Sequence, residues 1–289
     1  MRIVYIGTSR FALEVLESSG LEPALVVTRP PAPRGRGRRV EPSPVAAAAR
    51  IAGLAVREPE RLEEAAPEID ALAPDLVCLC AYGALVREPL LSRHEILGVH
   101  PSLLPRWRGA APIERAIMAG DARTGVAIMR LVAELDAGPV CALAELDVAP
   151  GEDYGSLAAR LAPLGGALLA GAVAGPREYA PQPAAGVTYA EKITAADRVL
   201  DPGRPAAELE RVVRALHPHI GARLASGLGV LEARVAPEPA PAILPGALAG
   251  APDGRLLLGT ASGSLELVRV RPPGGREMDG AAYARGHVR

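Results

Sequence analysis

A histidine closes the apolar run Ile96-Leu97-Gly98-Val99-His100, and Pro101 and Pro105 turn the chain directly after it. The run reads as a buried strand, which sets His100 at a strand's carboxyl end. In an open α/β sheet, ligands sit in the crevice outside those ends. An imidazole there can take up and return a proton near neutral pH; the alternative is a histidine satisfied inside a turn. Asp136, in Leu135-Asp136-Ala137-Gly138, is by itself a turn residue beside a glycine. Arg29, Arg34, Arg36, Arg38 and Arg39 fall within eleven residues of a Pro- and Gly-rich stretch, 28–44. They are either a solvated charge run or a phosphate-binding loop, since guanidinium forks suit phosphate oxygens. Cys78 and Cys80 lie two apart in a strand-like run and share one face. With no further ligand nearby, they read as buried thiols rather than a metal site.

These groups need elements to hold them. Residues 2–6 form a short apolar strand that stops at Gly7, and Thr8-Ser9 can cap a helix over 10–19. A strand, a glycine turn and a helix open a βαβ unit. A dinucleotide fingerprint would need three glycines here, whereas Gly7-Thr8-Ser9-Arg10-Phe11-Ala12 has one, which disfavours NAD. Strands are expected at 25–27, 54–56 and 75–80, and helices at 44–52, stopped by Gly53, and at 59–65. The run 75–80 is apolar throughout, as in a parallel strand buried on both faces, and ends in Ala81-Tyr82-Gly83. A helix at 113–119 precedes a hairpin of strands 124–131 and 140–148, so one edge of the sheet is mixed. An amphipathic helix at 155–169 closes the first domain. Beyond it come a helix at 206–216 and short strands at 221–225, 228–235, 254–258 and 265–270. Short strands with Gly and Pro between them suggest a small barrel.

The run Ser102-Leu103-Leu104-Pro105-Arg106-Trp107-Arg108-Gly109-Ala110-Ala111-Pro112-Ile113 resembles the folate-dependent formyltransferases, in particular the branch that formylates methionyl-tRNA. Gly7-Thr8-Ser9-Arg10-Phe11-Ala12 is similar to that family's opening, with Ser9 where a proline is usual. Pro42-Ser43-Pro44-Val45 and Val187-Thr188-Tyr189-Ala190-Glu191-Lys192-Ile193 are also similar. The resemblance implies a Rossmann-like α/β formyltransferase domain with a mostly parallel sheet (1–180), a linker (181–200) and an OB-like open barrel that supports tRNA binding (201–289). It implies His100 as acid/base and oxyanion donor, with Asp136 as its carboxylate partner. It places folate against Ser102, Leu103, Leu104 and Pro105 and against Ala81, Tyr82 and Gly83. It sets Arg36, Arg38 and Arg39 in a loop that enters the tRNA acceptor arm. The expected substrates are 10-formyltetrahydrofolate and initiator methionyl-tRNA, with no metal. One departure stands out: the family carries an asparagine two residues before the histidine, and this chain has Gly98. The alternatives are a weak or silent RNA-binding relative, or a formyltransferase acting on glycinamide ribonucleotide or an amino sugar nucleotide.

Composition bounds the rest. The chain has 289 residues, 49% hydrophobic and 22% charged, which suits two domains with real cores. With a net charge of −1, no global basic field advertises nucleic acid. From Asp201 onward, 11 arginines face 9 acidic residues, so the excess is small. Three cysteines without a framework point to a reducing compartment. The N-terminus lacks a signal-peptide pattern, and no apolar run approaches the roughly 20 residues that span a bilayer. The expectation is a cytoplasmic protein with no membrane or protein partner.

Overall fold

The structure, a computed structural model, describes residues 1–34, 39–237 and 243–288. It divides into two compact units that interleave in sequence. The first comprises Met1–Pro112, Arg123–Asp147 and Ala158–Ala190; the second comprises Ile113–Ala122, Val148–Leu157 and Glu191–Arg289.

The first unit begins with β1 (Ile3–Gly7), α1 (Arg10–Ser19) and β2 (Leu25–Val27). Ser9 caps α1 by accepting from the Ala12 N–H at 3.1 Å, and Gly20, at φ 63°, ends it. The stretch read as an irregular loop contains β3 (Ala32–Arg34) and β4 (Arg39–Glu41), paired antiparallel. Arg36 and Arg38 lie outside the described residues. Then follow α2 (Pro44–Ile51), capped by Ser43, and β5 (Val56–Arg57). The helix expected at 59–65 is instead a short 3-10 turn, Leu62–Ala65, that leads into α3 (Ala66–Leu72). Pro67 is the reason: proline fits only the first turn of an α-helix, so the regular helix starts around it. Next come β6 (Leu76–Cys80), α4 (Leu90–Arg93), β7 (Ile96–His100), β8 (Arg108–Gly109), α5 (Pro112–Ala119), β9 (Arg123–Arg130) and β10 (Val140–Asp147).

The main sheet runs β10-β9-β7-β6-β1-β2-β5. β5, β2, β1, β6 and β7 are parallel, and β9 and β10 are antiparallel at one edge. The chain builds outward from β1 to β5 on one side, then returns to place β6 and β7 on the other. The topological switch point therefore lies between β1 and β6, and both loops expected to carry chemistry leave the sheet near it.

α6 (Tyr154–Ala174) overturns the expectation that no apolar segment approaches a membrane span. It has 21 residues and is long and apolar enough to cross a bilayer by length and composition. Half of its apolar window is buried inside the protein. A Cβ on Gly165 would lie 3.2 Å from Val99 and 3.5 Å from Val15, and one on Gly166 would lie 2.8 Å from the Val15 carbonyl. Two adjacent glycines thus let α6 press against α1 and the sheet, and the apolar character serves that packing. β11 (Tyr189–Ala190) pairs in parallel with β8.

The second unit holds α7 (Ala206–Leu216), β12 (Ala222–Arg223), β13 (Gly229–Val235), β14 (Leu248–Gly250), β15 (Leu256–Gly259), β16 (Ser264–Arg271), β17 (Met278–Asp279) and α8 (Gly280–His287). Its antiparallel sheet runs β12-β13-β16-β15-β14. β15 and β17 share one edge of β16, and β13 takes the other. Leu209, Val212, Val213 and Leu216 of α7 pack with Val230, Leu256, Leu265 and Leu267 of the strands. Among the described residues no ladder joins β14 to β12, so the sheet is open.

Candidate active site

His100 is the last residue of β7 and pairs with Ala127 of β9. The strand is buried at every position, and the imidazole is 7% exposed. Its Nε2 lies 2.8 Å from the Trp107 carbonyl oxygen. Its Nδ1 lies 3.6 Å from Asp136 Oδ2, an ion-pair distance longer than a hydrogen bond. When the ring carries both protons, one meets a carbonyl and the other faces a carboxylate.

Two residues in the left-handed region, Trp107 strained and Asp136 less so, produce this arrangement. Trp107 has φ 63° and Asp136 has φ 48°, conformations that L-residues other than Asn, Asp and His adopt rarely. Asp136 Oδ2 also accepts from the Gly109 N–H at 2.8 Å. Gly138 admits no side chain, since a Cβ would fall 1.7 Å from the Arg130 carbonyl. The 35 residues between His100 and Asp136 are spanned by β7–β9 pairing and the β9–β10 hairpin.

The seven residues expected to hold folate lie in two turns. Ser102 is buried; its hydroxyl donates to the Arg106 carbonyl at 2.7 Å, and its N–H donates to the His100 carbonyl at 2.9 Å. Leu103 packs where a Gly125 side chain would stand, and Leu104 packs on Ala127 and Met129. The Pro105 carbonyl accepts from the Thr188 N–H. Ala81, at φ 41°, and Gly83, at φ 84°, turn the chain after β6, whose Cys80 pairs with Val99. The Tyr82 ring is buried with Leu62 and Leu90, and its hydroxyl has no hydrogen-bond partner among the described residues. Burial pushes that hydroxyl's pKa up, against the opposing charge of Arg29. Arg39 is exposed on β4. Burial also raises the Cys78 and Cys80 thiols to about 12, which leaves them protonated near neutral pH. Among the described residues, no group of three His, Cys, Asp or Glu side chains converges as a metal site.

A cavity of about 590 Å³ lies toward the amino end of β7, away from His100, lined in part by Leu91, Arg93, His94, Arg130, Leu131 and Val132. None of the seven expected folate residues lines it. Leu131 also occupies the space beside Gly98: a Cβ there would lie 2.5 Å from its Cδ1.

Sequence reasoning missed the support beneath the site. Gln182 donates from Nε2 to the carbonyls of Asp136 and Gly138, at 2.7 and 2.8 Å. Its Oε1 accepts from Arg108 Nε at 3.0 Å, and Arg108 Nη1 reaches Glu134 at 3.3 Å. Thr188 Oγ1 accepts from the Trp107 N–H at 2.9 Å. Thr188 lies in a stretch already noted for its resemblance, but Gln182 lies in Pro-rich sequence with no signal of its own.

The sequence matches the formyl transferase family over residues 1–173 and the family's C-terminal domain over residues 192–288. It is 46% identical over 298 residues to a methionyl-tRNA formyltransferase of Halorhodospira halophila, covering 99% of this chain and 96% of the relative. A methionyl-tRNA formyltransferase of Paracoccus denitrificans is 41% identical over 300 residues, with 99% and 97% covered. Two solved structures share the fold. The N-formyltransferase of Helicobacter canadensis, in complex with folinic acid and dTDP-3-aminofucose, superposes with a TM-score of 0.69 at 13% identity, covering 92% of this chain and 98% of that one. HypX from Aquifex aeolicus, in complex with tetrahydrofolic acid, gives 0.62 at 17% identity; 98% of this chain spans 47%, about half, of HypX. With both family models matched and full-length relatives above 40% identity, the chain belongs to the formyl transferase family.

Proposed function

We propose that this enzyme transfers the formyl group of 10-formyltetrahydrofolate to the amino group of initiator methionyl-tRNA in the cytoplasm. The observation that carries this reading is the pairing of His100 with Asp136 at the carboxyl end of β7, in a chain 46% identical to a methionyl-tRNA formyltransferase. The acceptor amine attacks the formyl carbon as a free base, forming the new N–C bond and a tetrahedral oxyanion. Once its Nε2 exchanges the Trp107 carbonyl for substrate, His100 takes the amine's proton there, donates it to the developing oxyanion, and returns a proton to N10 of the folate as the C–N10 bond breaks. Asp136 orients the imidazole and offsets the charge it gains, as in other His–Asp pairs. The turns at Ala81–Gly83 and Ser102–Pro105 hold the folate. Arg36, Arg38 and Arg39 meet tRNA phosphates. No step requires a metal or a covalent enzyme intermediate.

The test is formylation of methionyl-tRNA by the purified protein with 10-formyltetrahydrofolate, with glycinamide ribonucleotide and an amino sugar nucleotide as competing acceptors. Transfer to methionyl-tRNA that disappears in His100→Ala supports the reading; transfer only to a competitor replaces it. One observation favours a second reading. Leu131, an apolar side chain, fills the place next to Gly98 where the resemblance has asparagine. A protein that binds methionyl-tRNA and folate yet transfers nothing would be the silent relative.

A further inference from the structure

We infer that Gln182 is a positioning residue for Asp136, and that the segment from Gln182 to Ala190 braces both catalytic loops. This rests on the formyl-transfer reading above. The turn that carries Asp136 does not hold its shape cheaply. A left-handed conformation is uncommon at residues other than glycine, though aspartate tolerates it better than most, and Asp136 adopts it at φ 48°. Such a conformation persists where its surroundings over-determine it. Local hydrogen bonds supply part of the restraint: the Ala137 N–H reaches the Glu134 carbonyl at 3.4 Å, and the Arg130 N–H reaches the Pro139 carbonyl at 2.9 Å. Gln182 supplies the rest from outside the turn, with one amide nitrogen on the carbonyls of both Asp136 and Gly138.

The orientation of that amide is itself fixed. Its nitrogen has two carbonyl acceptors and its oxygen has one guanidinium donor, so a flipped amide would oppose like to like at all three contacts. The donor is Arg108, a buried side chain whose neighbour Gly109 gives its N–H to the Asp136 carboxylate. The contacts therefore close a ring: Gln182 to the Asp136 backbone, the Asp136 side chain to Gly109, and Arg108 back to Gln182. From the same segment, Thr188 accepts the Trp107 N–H, its carbonyl accepts the Arg108 N–H at 2.9 Å, and the Ala190 carbonyl accepts the Ala110 N–H at 2.8 Å. The Trp107 carbonyl that meets His100 Nε2 is thus held by the same strap as the carboxylate that faces Nδ1. Without Gln182, the Asp136 carboxylate keeps Gly109 as its anchor, but its backbone loses the restraint that sets the 3.6 Å approach to His100.

Three variants separate the contacts. Gln182→Ala removes them all. Gln182→Glu keeps an acceptor for Arg108 but offers no N–H to either carbonyl. Gln182→Met keeps the volume without the hydrogen bonds. Each should lower the single-turnover formylation rate by on the order of 10- to 100-fold, the loss expected from misplacing a catalytic group by a fraction of an ångström to one ångström. KM for both substrates should hold. In an Asp136→Asn background the same substitutions should add little, because both changes act through one group. In NMR, the imidazole nitrogen signals of His100, assigned by their loss in His100→Ala, should shift in Gln182→Ala. Wild-type rates in all three variants, or a full cost persisting in Asp136→Asn, would overturn the inference. A wild-type protein that transfers no formyl group defeats the functional reading instead. Even then, unmoved His100 resonances in Gln182→Ala would defeat the positioning role, and shifted ones would uphold it.

Discussion

Asparagine introduced at position 98 probes how the site stabilises the developing oxyanion, and the structure sets the conditions for the result. Residues 98 and 100 face the same side of β7, so a side chain at 98 enters His100's surroundings. Its Cβ, however, would lie 2.5 Å from Leu131 Cδ1, against an optimum of about 3.5–4.0 Å between carbons. Leu131 must retreat by roughly 1 Å, and overpacking of this kind costs about 1–3 kcal/mol of stability. An added oxyanion donor is worth about 10²–10³ in kcat. The strain falls on folding, and it reaches the rate only by misdirecting the new amide. Gly98→Asn alone should therefore lower the melting temperature and raise kcat modestly. Paired with Leu131→Ala, it should raise kcat toward about 10²-fold over Leu131→Ala alone, with KM unchanged because the gain appears only in the transition state. The assay is single-turnover formylation of methionyl-tRNA. A double variant no faster than Leu131→Ala would refute an oxyanion role for this position. A full gain from Gly98→Asn alone would show that Leu131 is no obstacle.

Asp136→Asn removes the carboxylate facing Nδ1 and should lower kcat by roughly 10²–10⁴-fold with little change in KM; a loss under tenfold would mean that His100 works without it. Replacing Arg36, Arg38 and Arg39 together by alanine should weaken tRNA binding and reduce its salt slope by about 2–3, as read by titration at several ionic strengths, while the KM for folate holds. Equal loss of folate use would mean the stretch acts through folding. Burial raises the Cys78 and Cys80 thiols to about 12, against about 8.5 in an unfolded chain. The folded state therefore keeps protons that the unfolded state releases. The associated stability is complete below about pH 8.5 and falls as pH rises toward about 12, by up to about 1.4 kcal/mol per pH unit for each thiol. Urea midpoints measured upward from pH 8.5 should fall, and fall less steeply in a Cys78→Val, Cys80→Val variant; parallel slopes would exclude the thiols as the cause.

Much of the frame was legible because its causes are local. Ser9 and Gly20 bound α1, and the pattern at 206–216 is that of α7, so both helices run as their sequences imply. The apolar runs of β6 and β7 are strands buried at nearly every position, so the place of His100 at a strand's end follows from neighbours alone. Reading went astray where one residue's geometry overrode a pattern. Pro67 shifted a helix toward Leu72, and the helix expected over 155–169 runs on to Ala174.

The site itself divides along the same line. Residue types and their order determined by themselves that a histidine ends a central strand and that an aspartate stands in a glycine turn. That the two meet was decided by the antiparallel return of β9 beside β7, a pairing made across 35 intervening residues. Gln182 carried no signal because its role consists of three hydrogen bonds to groups between 44 and 74 residues away. Nor could Gly98 alone show that Leu131 stands in the space it leaves. Strand ends, caps and turns are set by interactions a few residues long, which a sequence records in its spacing. The distance between two loops, and what fills an empty corner, depend on the packed sheet, where each position is fixed by partners the linear order does not name.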